Sequence, residues 1–213
     1  MSNLRQLIAW LLLAMVAVVG AGAAALGVAQ APDNVALSKA VVNTLGASNY
    51  SEVVSESTPQ GTQSDYLVFQ APENLGGYIQ SGSKRTYVYV IGTKEYQSIT
   101  VTATTPTKHL VFYEQPSQGA VALDPAHNYI RYAQQAKNPK QSGSTYTFSL
   151  TQGGQVGTFV FTVSGKYVSE MTLSVKTASV QLAISKVGTS PPVALPVGAK
   201  VVAAPTSPAA PTG

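Results

Sequence analysis

The chain has 213 residues, no cysteine, 10% charged side chains and a formal net charge of +4. The lack of cysteine excludes disulfide bonds, thiolate metal sites, a cysteine nucleophile and a lipid-modified cysteine. The positive charge is scattered along the chain and forms no basic stripe, which argues against a nucleic-acid partner.

The N-terminal segment, residues 1–31, predicts a signal peptide or an N-terminal membrane anchor. Its one charged side chain is Arg5, and an apolar run covers residues 7–28. The run is long enough to cross a bilayer as a helix, whereas the small residues of its second half are typical of a signal-peptidase site. Both alternatives place the remaining chain outside the cytoplasm, either secreted or attached to the membrane through this run.

Residues 32–202 are predicted to form one domain that begins with a short amphipathic helix. Apolar side chains recur every fourth residue at Leu37, Val41 and Leu45, before Gly46 ends the pattern. After this glycine the apolar period changes to two, which indicates β-strands.

A first meander of strands occupies the next part of the domain. Alternating patterns and turn residues predict strands over residues 50–57, 65–70, 76–80, 86–91, 95–104 and 108–114. Glu52 and Glu56 fall on the same face of the first strand. We interpret this face as solvent-exposed, with a functional carboxylate pair as the alternative.

A second helix is predicted in the middle of the chain, ending near Lys137. Asp124 supplies an N-cap and Pro125 the first helical position. His127 lies one turn after Asp124, at a spacing that allows their side chains to hydrogen-bond. His127 and His109 are the two histidines of the chain; we expect surface or capping roles for both, and no catalytic residue, metal or cofactor.

Four strands follow in succession, and each has apolar side chains on one face. They are predicted over residues 145–151, 157–163, 166–175 and 178–187, with short hairpin turns at 153–154 and 164–165. Because two short helices cover little of so large an apolar face, either the sheet curls into a dry core or a cavity stays open for an acyl chain. The candidate cavity residues on these strands are Phe148, Leu150, Phe159, Phe161, Met171, Leu173, Leu182 and Ile184.

Tyrosine is abundant, with eleven residues, and many of them fall in the first meander. Tyrosine rings surround the mouths of some apolar cavities, with the hydroxyl groups directed to water. The alternative is that they reflect only the preference of aromatic residues for strands. Tyr87 and Tyr89 complete the set of candidate cavity residues.

The order of these parts resembles the LolA-like carriers and the actinobacterial lipid-binding lipoproteins of that superfamily. The segments that carry the resemblance are residues 43–45 (Asn-Thr-Leu), 66–75, 90–96 and 186–196. The resemblance covers about residues 35–201. It implies an α+β fold, a curved antiparallel half-barrel of about 8–11 strands around two short helices, with a hydrophobic cavity for acyl groups. The chain departs from the lipoprotein members because it has no lipobox cysteine.

These observations predict a non-enzymatic, monomeric protein that binds a lipid, acyl chain or lipoprotein outside the cytoplasm. An envelope interaction or sensor module with a dry core is the alternative, and a hydrolase is a third reading that the scarcity of acid and base residues disfavours. Residues 203–213, rich in proline and alanine, are predicted to be a disordered tail.

Overall fold

The computed structural model describes residues 34–152 and 155–204, which form one large β-sheet with a small layer of helices. The helices are α1 (Val35–Leu45), α2 (Ala120–Leu123) and α3 (Pro125–Ile130), with 3-10 turns at Thr107–His109 and Arg131–Gln135. The strands are β1 (Asn49–Thr58), β2 (Gly61–Gln70), β3 (Asn74–Ser81), β4 (Lys84–Ile91), β5 (Lys94–Ser98), β6 (Val101–Thr102), β7 (Val111–Pro116), β8 (Lys140–Ser142), β9 (Thr145–Gln152), β10 (Gln155–Ser164), β11 (Tyr167–Val175), β12 (Ala178–Ser185) and β13 (Lys200–Ala203).

The strands pair into an open sheet in the order β13-β7-β5-β4-β3-β2-β1-β12-β11-β10-β9-β8, with β6 paired to β4. The pairings are antiparallel except for β13, which runs parallel to β7. The predicted class, an α+β fold built on a large antiparallel sheet, is confirmed. The described residues contain 13 strands instead of 8–11, because β6, β8 and β13 are too short to produce an alternating sequence pattern.

The predicted second helix is broken into α2, α3 and the following 3-10 turn. The break lies at Asp124, whose backbone is extended (φ −77°, ψ 116°). A residue before proline is sterically disfavoured in the helical region, so Pro125 ends α2 and begins α3. The Asp124 side chain then accepts a hydrogen bond from the backbone N–H of His127, as an N-cap does.

Helix α1 lies over β11, and it ends at Gly46 as the sequence predicts. The Asn34 side chain accepts hydrogen bonds from two backbone N–H groups of the first turn, and Gly46 follows the last turn. The buried Thr44 hydroxyl donates to the carbonyl of Ala40 and accepts from the backbone N–H of Val168 on β11. This polar contact positions α1 on the sheet together with its apolar stripe.

The sheet has two unlike faces, and we call the one beneath the helices the helix face. It carries the main hydrophobic core, in which α1, α3 and the 3-10 turn that follows pack against β1, β2 and β9–β12. Buried members of this core on the helices include Leu37, Val41, Ile130 and Ala133. Period-two strands place alternate residues on opposite faces, so the apolar side chains of β9–β12 gather on the helix face.

The opposite face is covered in part by the C-terminal strap, which we define as residues 192–199. A second, smaller core lies here, formed by Tyr87, Leu110 and Phe112 with Leu195 and Ala199 of the strap. We call this side the strap face. After the strap the chain adds β13 at the edge of the sheet, next to β7.

The predicted leader, the glycine turn at 153–154 and residues 205–213 of the predicted tail lie outside the described residues. Residues 203–204 of that tail are described, and Ala203 pairs with Glu114 in β7. Within residues 34–152 and 155–204, none of the helices is long and apolar enough to cross a bilayer.

Candidate functional site

The eight candidate cavity residues of the late strands all lie on the helix face, as their alternation predicts. Seven of them are buried, and Leu150 is half-buried against the same core. The rings of Phe148 and Phe159 stack with centroids 5.3 Å apart, and those of Phe148 and Phe161 with centroids 5.7 Å apart. This part of the helix face is therefore packed with the protein's own side chains, and the two pockets described below lie elsewhere.

Tyr87 and Tyr89 do not join that set, because they lie on the strap face. The ring of Tyr89 meets Phe112 edge-on, with centroids 5.6 Å apart. Alternation shows that Tyr87 and Tyr89 share one face of β4. The strand's own sequence does not determine which face of the sheet this is. The face is set by the register between β3 and β4, in which Val90 pairs with Leu75.

A pocket of about 590 Å³ opens at the edge of the helix layer, and we call it the helix-edge pocket. It lies between the end of α1, the loop between β2 and β3, and the helices α2 and α3. Its lining residues are Leu45, Pro72, Glu73, Gln118, Gly119, Ala120, Val121, Ala122, His127, Asn128, Arg131 and Gln134. Val121 leaves 46% of its surface exposed, so the pocket combines an apolar wall with polar groups.

A second opening, of about 460 Å³, lies on the strap face beside the strap. Tyr66 and Tyr78 form one wall, with ring centroids 4.8 Å apart, and the guanidinium of Arg85 lies 3.9 Å from the Tyr78 ring centroid. Residues 192–194 of the strap form another side. The first-meander tyrosines thus border a groove, on the face opposite to the helices.

His127, which lines the helix-edge pocket, also belongs to a buried polar network around Asp124. One carboxylate oxygen, Oδ2, accepts from the Tyr50 hydroxyl at 2.5 Å and from the His127 backbone N–H at 2.8 Å. The Nδ1 atom of His127 lies 2.6 Å from the same oxygen and 3.0 Å from the Tyr50 hydroxyl. The predicted contact between Asp124 and His127 is confirmed. The hydrogen bond from Tyr50 to Asp124 joins residues 74 positions apart, and no pattern in the sequence indicates it.

Glu52 faces this network from β1, and its predicted exposure is wrong. Its surface is only 2% exposed, and Oε2 accepts from the backbone N–H of Ala126 at 3.0 Å. Its other oxygen, Oε1, and Asp124 Oδ1 are both buried, with no N–H or O–H donor among the described residues. Burial, followed by the charge of Asp124, raises the pKa of Glu52 well above its ordinary value.

Glu56 and Asp65 extend this set of acids along β1 and β2. Glu56 is 9% exposed, and the prediction that it faces solvent is also wrong. Burial and the nearby charge of Asp65 raise the pKa of Glu56 to about 7, although the Tyr129 hydroxyl donates to it at 3.3 Å. Burial raises the pKa of Asp65 to about 6. We call Asp124, Glu52, Asp65 and Glu56 the acid row.

The network has the elements of an acid–base pair, but among the described residues no nucleophile lies beside it. The side-chain contacts of His127 are Asp124, Tyr50 and the ring of Phe69. Burial raises the pKa of Tyr50, so its hydroxyl keeps its proton. His109, the other histidine, is exposed in the 3-10 turn before β7. Among the residues that the structure describes, no cluster of three histidines and acids has the arrangement of a metal site.

Comparisons with known proteins give a structural likeness and no match in sequence. No protein-family model and no curated protein matches the chain. Among solved structures, LprF from Mycobacterium bovis matches with a TM-score of 0.48 and 15% identity, covering 76% of this chain and 95% of LprF. The lipoprotein LppX from Mycobacterium tuberculosis matches with a TM-score of 0.46 and 12% identity, covering 76% of this chain and 96% of LppX. These two mycobacterial structures agree with the predicted resemblance. Their similarity to this chain is too distant to establish what this chain binds.

Proposed function

We propose that this protein binds a lipid, an acyl chain or an acylated partner outside the cytoplasm and catalyses no reaction. The observation that carries the proposal is the helix-edge pocket, about 590 Å³ in volume. Pockets that hold small organic ligands are typically about 300–1,000 Å³ and mostly apolar, with a few polar groups that orient the ligand. The helix-edge pocket falls within this range of volume, and its lining combines apolar side chains with polar ones.

The lining suits an amphiphilic ligand better than a fully polar one. Leu45, Pro72 and Val121 offer an apolar wall for a hydrocarbon segment. Arg131 and His127 line the same pocket and offer donors to a polar or anionic head group. The ligand contacts predicted from the late strands would then be reached only if the helix layer moves, because those side chains are buried beneath it.

The proposed location depends on residues 1–31, the predicted signal peptide or anchor. A chain delivered through the membrane in this way meets lipids and acylated proteins directly. The lack of a nucleophile beside His127 among the described residues supports a binding role over hydrolysis.

Native mass spectrometry of the protein gently extracted from membranes tests the proposal. We expect a ligand mass of an acyl-containing molecule on the wild type. Val121→Glu places a charge on the apolar wall of the pocket and should reduce the ligand-bound fraction by about tenfold, since an unpaired charge opposes a hydrocarbon chain. Val42→Glu is the matched control, because Val42 is 62% exposed on α1 and does not line the pocket. A wild type without bound ligand, or equal loss in both variants, would count against the pocket.

A second candidate is an envelope interaction module with a dry core. The packed aromatic rings of Phe148, Phe159 and Phe161 favour it, because they leave no space in that part of the helix face. Photo-cross-linking in cells from Tyr66, in the groove of the strap face, would then capture a specific protein. A lipid-free wild type combined with such a capture would replace the first proposal by the second.

A further inference from the structure

We infer that residues 120–135, which comprise α2, α3 and the 3-10 turn Arg131–Gln135, form a proton-controlled lid over β1 and β2. The lid docks while Glu52, Glu56 and Asp65 hold their protons, and it lifts when these three acids ionise. This inference rests on the proposed function only where it concerns the ligand, because the lid forms one side of the helix-edge pocket.

Three polar contacts between the lid and β1 involve the acid row. The Ala126 N–H donates to Glu52, the Tyr50 hydroxyl donates to Asp124, and the Tyr129 hydroxyl donates to Glu56. Three contacts with acids therefore connect the short helices to the sheet. The lid has no helix longer than six residues, so it depends on these contacts and on packing more than on its own helical hydrogen bonds.

The carboxyl groups of the row lack the cations that usually stabilise buried carboxylates. Asp124, Glu52, Asp65 and Glu56 act on one another, and no lysine or arginine of the described residues lowers the pKa of any of the last three. His127 is the basic side chain in direct contact with the row. A buried charge without a partner costs several kcal/mol or is avoided by protonation.

The remaining titratable groups around the lid do not replace those cations. On the strand side, Tyr50 of β1 contacts the acid row. On the lid side, Tyr129 contacts the row and Tyr132 packs against Phe159 of the neighbouring core. Arg131 is exposed and lies close to Tyr132. Lys39 on α1 is exposed. Glu73, in the loop between β2 and β3, lines the helix-edge pocket. The inward side chains of β12, at Val180, Leu182 and Ile184, are apolar.

The direction of the effect follows from the raised pKa values. An acid whose pKa is higher in the docked state favours docking while it is protonated and opposes it once it ionises. For Asp65 and Glu56, with pKa values of about 6 and about 7, docking is complete at acidic pH and weakens as pH rises through these values. Burial also raises the pKa of Glu52 well above its ordinary value, so Glu52 adds to the same trend.

The consequence for the pocket is a coupling between protons and the ligand. Val121, His127 and Arg131 belong to the lid and line the helix-edge pocket. When the lid lifts, the pocket widens toward the apolar side chains of the helix face, including Phe69, which contacts His127. A ligand that occupies this widened space is then released or excluded when acidification docks the lid.

Hydrogen exchange followed by mass spectrometry on the full chain, without added lipid, tests the lid directly. After correction for intrinsic exchange, we expect peptides of residues 120–135 to lose about tenfold or more in protection between about pH 5.5 and about pH 8.5, while peptides of β10 and β11 change little. The double variant Glu52→Gln/Glu56→Gln keeps hydrogen-bonding groups without the charges and should retain protection at the higher pH. Glu170→Gln, on the exposed side of β11, is the matched control and should behave as the wild type.

Equal protection of the lid at both pH values overturns the inference, and so does a double variant with the wild-type pH dependence. If the double variant does not fold, the wild-type profile alone decides, because a lid without a transition between about pH 5 and about pH 9 contradicts the mechanism. The bound ligand is measured separately, by native mass spectrometry. A lid that responds to pH in a protein without bound lipid would contradict the proposed function and would still support the proton-controlled lid.

Discussion

At the scale of single residues, the acid row is the most consequential feature of this protein. Glu56 pairs across the strands with Gln63, and its carboxylate lies in a buried interface instead of in water. A single side chain of this kind makes the stability of the whole fold depend on pH, because the unfolded chain carries no comparable cost.

Glu56→Gln is expected to stabilise the protein at about pH 8 by up to about 3 kcal/mol, since a shift in pKa from 4.5 to about 7 has that free-energy equivalent. The sign follows from the raised pKa: the wild-type contribution is full below about pH 4.5 and lost as pH rises through about 7. Chemical denaturation at about pH 4 and about pH 8 measures the effect. A difference between variant and wild type that is the same at both pH values would contradict it.

Asp124 and His127 show how far local sequence reasoning reaches at this scale. Their spacing of three residues predicts the side-chain contact that the structure contains at 2.6 Å. The exposure predicted for Glu52 and Glu56 is wrong for a physical reason. Alternation along a strand states which residues share a face, but the helix that covers the face comes from more than 60 residues further along the chain.

At the scale of elements, the strap and strand β3 meet at a glycine. A Cβ atom on Gly76 would lie 2.5 Å from the Tyr89 ring and 2.8 Å from a methyl group of Val193. The strap makes few backbone hydrogen bonds to the sheet, and the Val193 N–H donates to the side chain of Gln70. Close packing at the glycine therefore contributes much of what keeps the strap in place.

Gly76→Ala is expected to displace the strap without unfolding the helix face, because the added methyl group forces Tyr89 or Val193 to move. Hydrogen exchange should rise in peptides of residues 192–199 by about tenfold and stay unchanged in α1. Val197→Ala is the control, since Val197 is 94% exposed within the same strap. Unchanged exchange in the strap of the glycine variant would show that the contact is not what retains it.

Predicted and observed elements differ mainly where the sequence pattern is short. The strands β9–β12 and helix α1 agree with prediction within a few residues, because each presents a full alternating or four-residue pattern. The predicted strand 95–104 is split into β5 and β6, and the start of the predicted strand 108–114 is a 3-10 turn. Strands of two to four residues contain too few positions to reveal a period.

At the scale of the whole molecule, one sheet is stabilised by two separate cores, one on each face. The helix-face core joins the helices to strands from both halves of the chain, and the strap-face core contains Tyr87, Leu110 and Phe112. Removing the cover of the smaller core should therefore weaken the molecule without removing the larger one.

Truncation after Thr189, which deletes the strap and β13, is expected to lower the free energy of unfolding by about 2 kcal/mol or more, since Leu195 and its neighbours no longer shield apolar surface. Binding of an apolar fluorescent dye should increase in parallel. Truncation after Ala204, which retains both elements, is the control. An unchanged melting temperature after the longer deletion would mean that the strap contributes no measurable stability.

By itself, the sequence determined the class of the fold, the end of the first helix, the start of the second helical region, and which apolar residues of each late strand share a face. These are local properties, since capping, proline geometry and the period of a strand act between near neighbours in the chain. Only the tertiary structure decided that the late-strand phenyl rings are packed together, that Tyr87 and Tyr89 lie on the other face, and that Glu52 and Glu56 are buried with Asp124. Burial depends on strand register and on contacts between distant segments, and those contacts turn an ordinary alternating strand into the interface of a lid.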